Sequence, residues 1–313
     1  MSEFSLIYQH FQNATTKHDS TILGIGDDCA ISSVPLNSEL VSCVDTLVAG
    51  RHFPVGTSAY AIGFKAVAVN LSDLASMGAT PYAILLGVSL PKELANDTFL
   101  AEFMRGVGDI CHQFGVELIG GDTTGAPVLT LSVTALGFVP KGLAIKRDGA
   151  KVGDVLCVGG QIGLASAALQ EILQGKKSPL QSALDLPQPQ MALGQALCGY
   201  ASAMIDISDG LGQDLGHILT ASGVGAVIEL DKIPTHDELN QLPFEQKYQH
   251  IINGGDDYQL LFTISPDKLA DFQRNYPNMS VYPIGKIMKK AGVQFLQNAQ
   301  AIDFKITGYQ HFL

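Results

Sequence analysis

The chain has 313 residues, of which 46% are apolar and 16% charged, enough for two packed globular domains. With 19 Lys and Arg against 30 Asp and Glu, its formal charge is −11, which argues against nucleic acid or an anionic membrane as partner. Five cysteines with no CxxC pair indicate neither a zinc site nor a disulfide framework; they suit reduced thiols in a cytoplasmic protein.

The start of the chain lacks the basic and then apolar run of a signal peptide. Phe4, Ile7, Tyr8 and Phe11 predict a short amphipathic helix over residues 4–13. A strand over Ile22–Ile25 leads into Gly24-Ile25-Gly26-Asp27-Asp28-Cys29-Ala30. There two glycines let backbone approach a ligand and two carboxylates offer hard oxygens to a cation such as Mg²⁺. Leu40–Thr46 reads as a strand with Asp45 near its end, and Ala49–Gly56, which holds His52, reads as a loop.

A long helix is predicted from an N-cap at Ser58 to Met77, stopped by Gly78. Ile62, Ala66, Asn70, Asp73 and Met77 share one of its faces. Asn70 and Asp73 then either meet a polar partner or form a plain stripe in solvent. Ala83–Leu90 is a buried strand, Asp97 a cap for a helix ending at Gly115, and Val116–Ile119 a strand running into Gly120-Gly121-Asp122-Thr123-Thr124. Alternation from Leu129 to Ala135 gives a half-buried strand, and the charge-free run from Thr123 to Pro140 is no membrane span.

Lys141, Lys146, Arg147 and Lys151 cluster with glycines, and the domain boundary is placed there, giving domains 1–140 and 141–313. Beyond it strands are predicted over 154–158, 226–230, 260–264 and 281–285, helices over 164–173 and 211–221, and a polar surface segment over 174–190. Mixed elements in both halves give an α/β or α+β protein. Ser72-Asp73 precedes Gly120-Gly121-Asp122 by about the distance that Ser208-Asp209 precedes Gly254-Gly255-Asp256, an echo that two related halves would produce.

The phosphate motifs with known mechanics are missing. There is no GxxxxGK[ST], no third glycine after Gly24-Ile25-Gly26, and no GxSxG. Gly159-Gly160-Gln161-Ile162-Gly163 suits a structural turn better than an anion site, and no side chain stands out as a nucleophile. What recurs is aspartate in short segments, most of them with glycine or serine close by, and the acids in question are Asp28, Asp45, Asp73, Asp122, Asp206 and Asp209. Each alone reads as a turn or cap residue. Together they point to one phosphate-handling site. Two unit charges about 4 Å apart repel by about 1 kcal/mol in water and about 4 kcal/mol at an effective dielectric of about 20, so such a cleft needs cations. Magnesium bridging carboxylates and phosphates is a common way to build a phosphoryl-transfer site.

Six stretches, in order, closely resemble the thiamine-monophosphate kinase family: 24–30, Asp45-Thr46-Leu47-Val48-Ala49-Gly50 with His52-Phe53, 68–79, 120–124, Ile205-Asp206-Ile207-Ser208-Asp209-Gly210-Leu211, and Gly254-Gly255-Asp256-Asp257-Tyr258. The terminal Gly308-Tyr309-Gln310-His311-Phe312 is similar to that family's C-terminus. The first and third stretches also suit the wider superfamily of aminoimidazole-ribonucleotide-synthetase-like enzymes. The resemblance implies that superfamily's two-domain fold, with the N-terminal domain forming a homodimer interface. It further implies ATP-dependent phosphorylation of thiamine monophosphate to thiamine diphosphate, the last step in making that coenzyme, by direct transfer with no phosphoenzyme. By motif, Asp28, Asp45, Asp73, Asp122, Asp206 and Asp209 would hold several Mg²⁺ ions. Gly121, Arg147 and Ser208 would contact ATP, while His52, Asp256 and Tyr309 would line the thiamine site, with Asp27 and Asn70 supporting them.

Two departures stand out. The family often has Ser-Thr where this chain has Cys43-Val44, and Gly-Gly-Glu-Asp-Tyr-Glu where it has Gly254-Gly255-Asp256-Asp257-Tyr258-Gln259. The competing readings are a sister enzyme of aminoimidazole-ribonucleotide-synthetase type and a non-catalytic Mg²⁺- or nucleotide-binding regulator.

Overall fold

A computed structural model describes residues 7–12 and 14–308. The chain divides into two compact units, Met1–Leu74 with Ala79–Gly142, and Ala75–Gly78 with Leu143–Leu313.

The first unit opens with a helical turn, Ile7–Phe11, and a small antiparallel pair, β1 (Thr21–Leu23) and β2 (Ile31–Ser32), flanking the Gly-Asp-Asp loop. Then come β3 (Ser38–Val48), α1 (Ala59–Ser76), β4 (Thr80–Leu90), α2 (Asp97–Phe114), β5 (Glu117–Gly125) and β6 (Thr130–Pro140). The four long strands form one sheet in the order β3-β6-β4-β5; β4 and β5 are parallel, joined through α2, and the other pairings are antiparallel.

Helix α1 starts where the sequence signals it, with the Ser58 hydroxyl accepting from the Ala61 N–H at 3.2 Å. Its Val67, Ala68, Leu71 and Leu74 are buried in the core. Helix α2 is capped one residue earlier than the sequence suggests: the Asn96 side chain accepts from the Phe99 N–H, and Asp97 is already helical. The Gly120-Gly121-Asp122 stretch, expected to follow a strand, lies inside β5. The parallel ladder absorbs it by a register shift at Ile84/Leu85.

The second unit contains β7 (Val155–Val158), α3 (Leu164–Leu173), α4 (Gln181–Asp185), α5 (Met191–Ala196), β8 (Ala201–Asp206), α6 (Leu211–Ser222) and β9 (Gly225–Glu229). It continues with α7 (Asp237–Asn240), α8 (Phe244–Asn253), β10 (Leu260–Ile264), α9 (Pro266–Asn275), β11 (Tyr282–Met288), β12 (Gly292–Gln297) and β13 (Gln300–Ile302). Its sheet runs β13-β12-β9-β11-β7-β10-β8, antiparallel except between β12 and β9. Leu156, Val158, Ile205 and Leu261 from the sheet pack with Leu211, Leu215 and Ile218 of α6 in one core. The segment 174–190 is not wholly a polar surface: it forms α4, and Leu180 and Leu184 are buried in that core.

The internal echo does not survive. Asp73 lies within helix α1 whereas Asp209 lies in the loop before α6, and Gly120-Gly121-Asp122 is strand whereas Gly254-Gly255-Asp256 is loop. Among the described residues no helix is long and apolar enough to cross a membrane.

Candidate active site

In the first unit Asn70 joins helix to sheet. It is fully buried; its side-chain amide donates to the Ala66 carbonyl at 3.0 Å, and its Oδ1 accepts from the Asp45 N–H at 2.9 Å. A polar side chain in so apolar a helix therefore has a specific partner, and the solvent-stripe alternative falls. The Cys43 thiol donates to the Asn70 carbonyl at 3.3 Å and interacts with Asp73. Burial pushes that thiol's pKa up, and the negative Asp73 and Asp45 beside it push it further. Asp45 on β3 and Asp73 on α1 are thus brought to one neighbourhood.

His52 is locked by its own loop. Its N–H donates to the Val48 carbonyl at 3.0 Å, and its Nδ1 accepts from the Val48 N–H at 3.0 Å. In the neutral ring the proton therefore sits on Nε2, leaving that atom as the donor. The nearly buried Lys65 donates to the His52 carbonyl at 3.4 Å, which ties the loop to α1.

A cavity of about 1100 Å³ opens in the same unit, lined by Asp27, Asp28, Gly121, Asp122, Ser132 and Thr134 among others. Asp27 and Asp122 each accept a neighbouring backbone N–H, at 2.8 and 2.9 Å, so part of each carboxylate is fixed and part is left for the cavity. At Gly121 a Cβ would lie 2.0 Å from the Leu86 carbonyl oxygen, so only glycine fits the bulged strand there. The cavity takes Asp28 and Asp122 but is not lined by Asp45 or Asp73.

In the second unit β8 ends on the buried Asp206, and a loop leads into α6. The loop folds around Asp214, whose Oδ2 accepts the N–H groups of Ser208, Asp209 and Gly210 at 3.0, 3.0 and 3.1 Å. Burial pushes the Asp214 carboxyl up to about 7, with the charges of Asp206 and Asp209 adding to the rise. Gln213 donates to Asp209 at 2.9 Å.

The Gly254–Tyr258 loop is stitched to this one. The Asp256 N–H donates to the Ser208 carbonyl at 2.9 Å, and the Tyr258 N–H to the Ile207 carbonyl at 2.8 Å. Asp256 and Tyr258 both hold left-handed backbone, with φ of 68° and 50°. Such conformations cost side-chain-bearing residues energy and persist where the surroundings enforce them. The Tyr258 hydroxyl donates to Asp256 at 2.9 Å, orienting that carboxylate. Between them the buried Asp257 turns the other way and accepts the Gly163 N–H at 2.6 Å, with the Leu164 and Ala165 N–H groups alongside. The start of α3 is therefore already filled by the chain's own carboxylate. The Gly159–Gly163 turn is structural, as the sequence favoured.

Gln259, where the family pattern has an acid, is used within the fold: Gln190 donates to its Oε1 at 2.6 Å. Arg147 is exposed, on a backbone held by the Ser222 hydroxyl, which donates to its carbonyl at 3.0 Å; the adjacent Lys146 carbonyl accepts from Met204 of β8 at 3.1 Å. Tyr309 lies outside the described residues.

Among the described residues no three His, Cys, Asp or Glu side chains stand close enough to hold a metal ion by themselves. Acidic side chains in ones and twos suit Mg²⁺ that arrives on a polyphosphate, since that ion usually keeps waters and takes one or two carboxylates along with phosphate oxygens.

Residues 26–139 match the family model for the AIR synthase related protein N-terminal domain, and residues 151–295 that for its C-terminal domain. A thiamine-monophosphate kinase of Haemophilus influenzae is 39% identical over 325 residues, covering 100% of this chain and 98% of that protein. The chain belongs to the thiamine-monophosphate kinase family. Among solved structures, the thiamine-monophosphate kinase of Stenotrophomonas maltophilia superposes with a TM-score of 0.86 at 38% identity, covering 96% of this chain and 98% of that one. AaThiL, crystallised in complex with AMPPCP and TMP, gives a TM-score of 0.78 at 29% identity, with 90% and 89% covered. The kinase-family fold is thus the one the sequence resemblance implies.

Against this family background, Asp214, Asp257, Tyr258 and Lys65 are the side chains to which sequence reasoning gave no role. Asp257 and Tyr258 stood in the Gly254–Tyr258 stretch without a role of their own, and Asp214 shows only as an acid in the first turn of an apolar helix, a pattern that reads equally well as a partner for the helix dipole.

Proposed function

We propose that this chain transfers the γ-phosphoryl group of MgATP to thiamine monophosphate, giving thiamine diphosphate and ADP. What carries the reading is full-length membership of a family in which a relative of the same fold has been crystallised with AMPPCP and TMP. In the first unit Asp28, Asp45, Asp73 and Asp122 would bind the Mg²⁺ brought by ATP, with Asp27 and Asn70 holding them in place. In the second unit Asp206 and Asp209 would do the same. Gly121, Ser208 and Arg147 would contact the nucleotide, Arg147 through forked donors to phosphate oxygens. His52, Asp256 and Tyr309 would meet the thiamine moiety.

No covalent nucleophile enters the scheme. A phosphate oxygen of thiamine monophosphate forms the new bond to the γ-phosphorus as the bond to the bridging oxygen of ADP breaks, in line. The chain's part is to position the reactants and neutralise charge, which is most of what phosphoryl transfer requires. A homodimer formed through the first unit belongs to the same reading; Leu40 and Val44 on β3, 51% and 61% exposed, are apolar side chains that a partner would cover. So does a cytoplasmic setting, where five unpaired cysteines stay reduced.

Incubation with ATP, Mg²⁺ and thiamine monophosphate, with products resolved by chromatography, should yield thiamine diphosphate and ADP in equal amounts. Light scattering on the same sample should give twice the 33.2 kDa chain mass. ADP without thiamine diphosphate would point to a sister enzyme, and ATP binding without turnover to a regulator.

A further inference from the structure

We propose that Asp214 is a positioning residue that shapes the Ser208–Gly210 loop, setting the direction of Asp209 and, through the Ser208 carbonyl, the turn at Asp256. The inference rests on the reading that Ser208 and Asp209 serve MgATP and Asp256 the second substrate.

An ordinary N-cap side chain precedes its helix and accepts an N–H from the first helical turn. Asp214 does the reverse. It lies inside α6, which begins at Leu211, and reaches back to three N–H groups that precede the helix. Consecutive amides pointing at one oxygen form a concave anion nest. Here the nest is filled by the chain's own carboxyl group, 2% exposed, so it fixes the loop and is closed to phosphate. Because all three bonds converge on Oδ2, the backbone of Ser208, Asp209 and Gly210 is held from one point. The hydrogen bond from the Asp256 N–H to the Ser208 carbonyl extends that hold to the neighbouring loop. Gln213 donates to Asp209 and steadies the side chain whose backbone Asp214 grips.

Two variants separate this role from general stability. Asp214→Asn keeps an oxygen able to accept the three N–H groups, whereas Asp214→Ala removes the acceptor. Hydrogen exchange read by mass spectrometry should show the 207–211 amides exchanging about tenfold faster in the Ala variant, and within about threefold of wild type in Asn. Mn²⁺ binding in the presence of ATP, followed by electron paramagnetic resonance, should weaken about tenfold in Ala and recover most of that in Asn. Unchanged exchange and unchanged Mn²⁺ affinity in Ala would overturn the proposal. Should Ala fail to fold, Asn decides alone: fast exchange of 207–211 in a folded Asn variant overturns it, and protected amides with near-normal Mn²⁺ affinity uphold it. Failure of wild type to make thiamine diphosphate while amide exchange and Mn²⁺ binding still respond would sink the assigned reaction and leave the positioning role standing.

Discussion

Asp28 and Asp122 in the first unit are exposed beside an open cavity, whereas Asp214 and Asp257 in the second are 2% and 7% exposed. Asp27 and Asp122 each have one local N–H bond at a carboxylate oxygen, while Asp214 gathers three and Asp257 lies against three more. A carboxyl group already engaged by backbone donors has little left to offer a cation, and those donors help it tolerate burial. One residue type therefore serves two purposes. In the proposed reaction outward acids would supply charge to a ligand, whereas inward ones bend the chain that carries the other residues.

The largest effect should come from removing an outward charge. Asp73→Asn keeps the shape of a half-buried side chain next to Cys43 and Asp45 but deletes its charge. Turnover should fall by about 10²-fold or more, while thermal unfolding stays close to wild type. Near-normal thiamine diphosphate formation would take Asp73 out of the proposed metal-binding group and blur the contrast between the units.

The inward class should show itself in stability. Burial pushes the Asp257 carboxyl up to about 7 from an ordinary 3.8. Between those values the folded chain holds a proton that the unfolded chain has lost. Stability tied to this group is complete below about pH 4 and drains away as pH rises toward about 7, by at most about 1.4 kcal/mol per pH unit. Asp257→Asn does not titrate, so the gap between its unfolding midpoint and that of wild type should change across this window. Parallel midpoint curves from pH 4 to pH 7 would show that Asp257 does not carry the proton.

The same contrast explains what could be read from the chain beforehand. Outward acids were legible because each sits in a short Gly- or Ser-flanked island, and helix α1 because Ser58 and Gly78 bracket it. The role of Asn70 was half legible: its spacing on an apolar face demanded a partner, but only the sheet supplied Asp45. Asp214 and Asp257 were not legible as supports, since their partners are backbone N–H groups and every residue but proline has one. Gly120-Gly121-Asp122 misled because glycine pairs usually mark turns, whereas here Gly121 is required where β5, just past its bulge, runs close against the Leu86 carbonyl. The apparent repeat misled because matching letters fell on unlike elements.

The smallest effect should come from Arg147, an exposed cation on a backbone held by Ser222 and lying next to the Lys146–Met204 contact with β8. Its backbone order does not depend on its side chain, so Arg147→Lys should leave unfolding unchanged. Lysine keeps the charge but loses the planar fork that meets two phosphate oxygens at once. If one such contact is lost, the KM for ATP should rise about tenfold, the equivalent of about 1.4 kcal/mol, with kcat within about threefold. A KM that stays put would return Arg147 to the solvent and show that an ordered backbone alone does not mark a side chain as functional. A fall in kcat with KM unchanged would instead place the guanidinium against charge that develops only as the phosphoryl group moves.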